Sequence, residues 1–163
     1  MKNTLLLGYG NIDRQDDGVA WHILESIAHK LDRPVPEPSE GFYPNGSNPD
    51  LLFVLQLTPE LAETIAEYDR VAFIDAHTGN IDADIQIIAL QAGYQPSPLT
   101  HHLTPSSCLS LVQTVYQKSP EAMLFSVRGF HFDFDKKLSL QTDLLAKRVV
   151  DEILDWLNNV SKT

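Results

Sequence analysis

Short apolar runs alternate with amphipathic segments of helical period along almost the whole chain, and that alternation restricts the folds open to it. TLLLGY (4–9), LLFVLQLT (51–58), RVAFIDA (70–76) and AMLFSVRGF (122–130) are nearly continuous apolar stretches, the pattern of strands covered on both faces. DIQIIAL (84–90) alternates apolar and polar residues and reads as a further strand at a sheet edge. Between these runs, Val19, Ile23, Leu24, Ile27 and Leu31 recur at helical spacing. TPELAETIAEY (58–68) follows with Thr58 as N-cap, Pro59 at the first helical position, and Leu61, Ile65 and Tyr68 on one face. A third helix is expected near Ser106–Gln117, carrying Leu109, Val112, Val115 and Tyr116. A fourth, over 140–158, turns Leu145, Val149, Ile153, Trp156 and Leu157 to the core. The prediction is a three-layer α/β/α sandwich around a mostly parallel, roughly five-stranded twisted sheet. With no repeat and no linker, residues 1–163 read as one domain, long enough for one sizeable core.

In such sheets the loops at the carboxyl ends of the strands share one edge and form the site. That rule selects LLLGYGNIDRQDDGVA (5–20), where a glycine turn is followed by two adjacent carboxylates at a helix start. A dinucleotide fingerprint would need a third glycine where Asp13 stands, and Asp16 and Asp17 would face the pyrophosphate with like charge. Nucleotide binding is therefore disfavoured. One of the two acids is expected to cap the helix, with Asp16 the better fit, and a cap accounts for only one. Asp75 closes an apolar strand, and His101 and His102 precede the third helix. Carboxylates and imidazole from three strand-end loops form an oxygen and nitrogen donor set that suits zinc, nickel or iron. Each residue also has a plainer use: an aspartate at a strand end caps turns, and loop histidines are commonly solvated.

The remaining chemistry narrows the classes further. Net charge is −10, which disfavours nucleic acid and an anionic membrane surface as partners. The single cysteine, Cys108, excludes an internal disulfide and sits in the apolar segment SSCLSLV as a small buried hydrophobe. No GxSxG elbow occurs, and Ser106 and Ser107 read as helix-start residues. Arg128-Gly129 follows the last strand, where an arginine would either reach the site edge to bind a carboxylate or stand exposed on a turn. Residues 33–50 contain five of the ten prolines and form a long irregular loop. The sequence has no signal-peptide pattern at Met1 and no apolar run long enough to span a bilayer, so a cytoplasmic protein is expected.

Leu7-Gly8-Tyr9-Gly10-Asn11 followed by Asp16-Asp17-Gly18 resembles the N-terminal signature of the [NiFe]-hydrogenase maturation proteases. Two further marks agree in order: Asp75 at the end of Val71–Ala76, and His102 three residues before Pro105 and seven before Leu109. The resemblance implies an α/β sandwich and a cytoplasmic endopeptidase. Such an enzyme removes the C-terminal extension of a hydrogenase large-subunit precursor once nickel has been inserted. It implies Asp17, Asp75 and His102 as the catalytic and nickel-binding set, with His101 the competing imidazole and the nickel carried by the substrate. The chain departs from the family where Val54–Pro59 replaces a glycine-rich turn, in the longer 33–50 loop, and at the less apolar Ile12–Gln15. The rival expectations are another metal-dependent hydrolase and a nickel-binding accessory protein that checks metal loading without cutting.

Overall fold

The structure, a computed structural model, describes residues 2–93 and 103–159. Its strands are β1 (Thr4–Tyr9), β2 (Asp50–Val54), β3 (Arg70–His77), β4 (Ile85–Leu90) and β5 (Glu121–Arg128). The helices are α1 (Val19–Lys30), α2 (Leu61–Ile65), α3 (Pro105–Tyr116) and α4 (Leu140–Asn158), with a 3₁₀ turn at Gln15–Gly18 before α1.

The five strands lie in the order β2-β1-β3-β5-β4. All neighbours are parallel except β4, which runs antiparallel to β5 at the edge. The alternating DIQIIAL segment is thus an edge strand, with the adjacent Ile87 and Ile88 both exposed. In the central strands successive side chains feed two separate cores. Leu6 and Ile74 pack with Ile23, Leu24, Val149 and Ile153 beneath α1 and α4. Leu5, Leu7, Val71 and Phe73 pack with Ile65 and Leu109 beneath α2 and α3. Burying each such side chain contributes roughly 1.5–3 kcal/mol. The layers are therefore helix, sheet, helix, as the alternation predicts.

Two elements are shorter than the sequence pattern suggests. β2 stops at Val54, before the exposed Leu55 and Gln56. α2 is reduced to Leu61–Ile65, and Thr58 is not its N-cap; Glu60 occupies that position with no side-chain cap. Instead the Thr58 carbonyl accepts the Leu61 N–H in a lead-in turn. α3 starts one residue before the expected Ser106, at Pro105. Thr104 is its N-cap, its Oγ1 accepting the Ser107 N–H at 3.1 Å, with Pro105 at the first position. Ser107 is buried in the first turn, as are Leu109 and Val112, whereas Val115 and Tyr116 are exposed. No helix among the described residues is long and apolar enough to cross a membrane.

The 33–50 loop runs beside the outer edge of β2. The Phe53 N–H donates to the Phe42 carbonyl at 3.2 Å, and Phe42 packs 4.7 Å from Trp21 of α1. That bond pairs one N–H of the outer edge.

Candidate active site

β1 is hydrogen-bonded to both β2 and β3, so the chain leaves it for one neighbour and later returns to the other side. The carboxyl ends of β1 and β3 are therefore the switch point, where open α/β sheets place their ligands. The GYGN turn and the acidic pair leave β1 there, and Asp75 arrives on β3.

The glycines set how tightly the first loop folds back. Gly10 has φ +142°, and a Cβ on it would collide with the Asp17 carbonyl oxygen. A Cβ on Gly18 would stand 2.6 Å from Ile12 Cα. Only glycine permits both approaches. The folded loop lets the Asn11 N–H donate to Asp17 Oδ2 at 2.8 Å, leaving Asp17 Oδ1 without a partner among the described residues. The paired acids then part company. Asp17 is half-buried, while Asp16 is fully buried.

Asp16 is not a helix cap. The 3₁₀ turn and α1 begin at Arg14 and Gly18 with no side-chain cap. The Asp16 carboxylate instead accepts backbone N–H groups of Phe130, His131 and Ser139 at 2.8–2.9 Å, and the Ser139 hydroxyl at 2.7 Å. Ser139 is itself the N-cap of α4. Asp16 therefore pins the β5–α4 loop and the start of α4 to the first loop. Burial alone would raise its pKa, but the hydrogen bonds from Ser139, Phe130 and His131 together hold it below the usual carboxylate value. The structural role expected for Asp16 is present, through a different partner.

Asp75 lies on the α2/α3 face of β3 with each oxygen engaged. The Tyr9 hydroxyl of β1 donates to Oδ2 at 2.5 Å, and the Ser126 hydroxyl of β5 donates to Oδ1 at 2.6 Å. Ser126 is its register partner across the parallel β3/β5 pair. Burial pushes the Asp75 pKa up; the Ser126 and Tyr9 hydroxyls and His77 oppose that, and the Asp17 carboxylate adds to it. Asp17 and Asp75 are thus close enough to repel one another. Burial, and then the Asp75 charge and hydrogen bond, push the Tyr9 phenol far up, so it remains a protonated donor. His77, two residues on, is buried, and its Nδ1 accepts the Gly79 N–H at 3.1 Å. That bond engages the Nδ1 lone pair.

Tyr9, Ser126 and His77 were not among the expected site residues. The one signal in the sequence is polarity at alternate positions inside otherwise apolar strands.

His101 and His102 lie outside the described residues. Among the described residues, no group of three or more His, Cys, Asp and Glu side chains is arranged to hold a metal ion. Cys108 is fully buried and its pKa is pushed up to about 11 by burial, so the thiol is a core group and not a nucleophile. Arg128 spends its charge on Asp84 at 3.3 Å and stacks 4.7 Å from the Phe130 ring.

No protein-family model and no curated protein sequence matches the chain. Solved structures do. The hydrogenase maturating endopeptidase HybD from E. coli superposes with a TM-score of 0.68 at 16% identity, over 96% of this chain and 93% of that one. The [NiFe] hydrogenase maturation protease HycI from Thermococcus kodakarensis KOD1 does so with a TM-score of 0.63 at 18% identity, over 97% and 94%. A hydrogenase 2 maturation peptidase from a Thaumarchaeota archaeon gives 0.62 at 16% identity, over 96% and 99%. Over nearly its whole length, this chain has the fold of the hydrogenase maturation endopeptidases.

Proposed function

We propose that the protein is a cytoplasmic endopeptidase that removes the C-terminal extension of a [NiFe]-hydrogenase large-subunit precursor after nickel insertion. The observation that carries this reading is positional. The GYGN–DDG signature and the strand-end Asp75 meet at the β1/β3 switch point of a fold shared with such endopeptidases. Asp17, Asp75 and His102 are proposed to bind the nickel that the precursor brings, and the nickel is part of the substrate. His102 rests on its spacing to Pro105, with His101 the competing imidazole. Two carboxylates and an imidazole suit a borderline divalent ion and leave positions for the precursor's own ligands. Held by these residues, the ion would mark the precursor as loaded; the Lewis acidity it would also supply to a neighbouring carbonyl or water is a separate contribution that the ligand set does not require.

The test is incubation of nickel-loaded and nickel-free precursor with the purified protein, followed by intact-mass measurement. Loss of the C-terminal segment from the loaded form alone is expected. No cleavage of loaded precursor would favour a loading checkpoint without protease activity. Equal cleavage of both forms would remove nickel sensing and favour an ordinary hydrolase.

Asp17→Ala is expected to abolish processing while the unfolding free energy falls by only about 1 kcal/mol. One hydrogen bond, from the Asn11 N–H, is lost at a half-buried position. Chemical denaturation and the cleavage assay on one preparation separate the two effects.

A further inference from the structure

Asp75 sits in surroundings that do not favour a carboxylate. On its face of the sheet the neighbouring strand positions are Leu7, Val71, Phe73, Ala122 and Leu124. Three apolar side chains at positions 9, 75 and 126 would continue that core, and replacing buried polar groups in this way is commonly neutral or stabilising. The backbone ladders of β1, β3 and β5 already join these strands, so the side-chain bonds are not needed to hold the sheet together. The two hydroxyls are nonetheless placed one on each carboxylate oxygen, from the strands on either side, at 2.5 and 2.6 Å. Ser126 is 3% exposed, so water does not compete for its bond.

We propose that Tyr9 and Ser126 are positioning residues: their hydroxyls hold the Asp75 carboxylate in one orientation, ready for a divalent ion that arrives with the substrate. The inference rests on Asp75 being a ligand, as proposed above. Each carboxylate oxygen has two lone-pair sites and gives one to a hydroxyl, which leaves one on each for a cation. The hydroxyl dipoles also offset the burial and the Asp17 repulsion that a resident cation would otherwise offset. A ligand fixed by outer partners binds its metal more tightly than one that must be ordered on binding. Tyr9 suits the task because its ring packs against the α2/α3 core, and only its hydroxyl reaches Asp75.

The experiment titrates Ni²⁺ alone into the full chain by calorimetry, for the unaltered protein and for Tyr9→Phe, Ser126→Ala, Ser126→Thr and Asp75→Asn. Unfolding midpoints confirm that each variant folds. Tyr9→Phe and Ser126→Ala are expected to weaken Ni²⁺ binding by about 10–100-fold each. Ser126→Thr, which keeps the hydroxyl on a residue suited to a strand, should restore it to within about threefold. Asp75→Asn should lose it. Unchanged affinity in Tyr9→Phe and Ser126→Ala, with binding lost in Asp75→Asn, would overturn the positioning role and leave the ligand assignment standing. Unchanged affinity in Asp75→Asn, or no binding by the unaltered chain, would overturn the ligand assignment and this inference with it.

Discussion

Asp75→Asn will fold, will be at least as stable as the unaltered protein at neutral pH, and will process nickel-loaded precursor at least about a hundredfold more slowly. The amide has nearly the shape of the carboxylate. One of the two hydroxyls that donate to Asp75 keeps donating to the amide oxygen, and the other turns to accept from the amide N–H, so the local bonds survive. The stability sign follows from linkage. Burial raises the folded pKa of Asp75 above its unfolded value of 3.8, so the native state holds this proton more tightly than the unfolded chain does. Its contribution therefore declines as pH rises from the unfolded value through the folded one, and the full penalty remains above both. Asparagine removes that penalty together with the charge that the proposed chemistry needs. Gain or parity in stability with loss of cleavage is the pattern of a group retained for function. Denaturant unfolding at pH 7 beside a cleavage time course reads both. A variant that cleaves normally would detach Asp75 from the reaction.

Asp16→Ala will give the opposite pattern, with a loss of stability of about 3–5 kcal/mol. Its carboxylate satisfies three backbone N–H groups and the Ser139 hydroxyl in a fully buried position, and alanine leaves those donors facing a void. The damage falls on the β5–α4 loop and the first turn of α4, so amide exchange should rise at Phe130, His131 and Ser139 before it rises in β1 or β3. The pH dependence has a defined sign as well. Because hydrogen bonding holds the folded pKa below 3.8, the contribution is complete above that unfolded value and is lost as pH falls through the folded one. An Asp16→Asn variant should lack that acid limb. Cleavage by the folded fraction of Asp16→Ala should persist, because the Asp16 carboxylate is occupied by the β5–α4 loop and the start of α4.

The strands and long helices were legible for a local reason. Leu5, Leu6 and Leu7 are buried without exception because β1 is covered by a core on each face, and an uninterrupted apolar run is the mark of that state. α4 was legible because Val149 and Ile153 repeat at helical spacing. α2 is shorter than its sequence suggests: Thr58-Pro59 is a good helix start, whereas the segment closes as a turn that leads into a short helix at Leu61.

The sequence by itself determined the α/β class, the edge character of β4, and the presence of acids at two strand ends. It did so because period and burial are properties of neighbouring residues. The separate fates of Asp16 and Asp17 were settled only in three dimensions. Adjacent in the chain, they differ because one meets Ser139, 123 residues away, and the other turns back to Asn11, six residues away. Likewise, Tyr9 and Ser126 reach Asp75 across 66 and 51 residues only because β1 and β5 flank β3. Strand order brings these groups together, and no local pattern of side chains carries strand order.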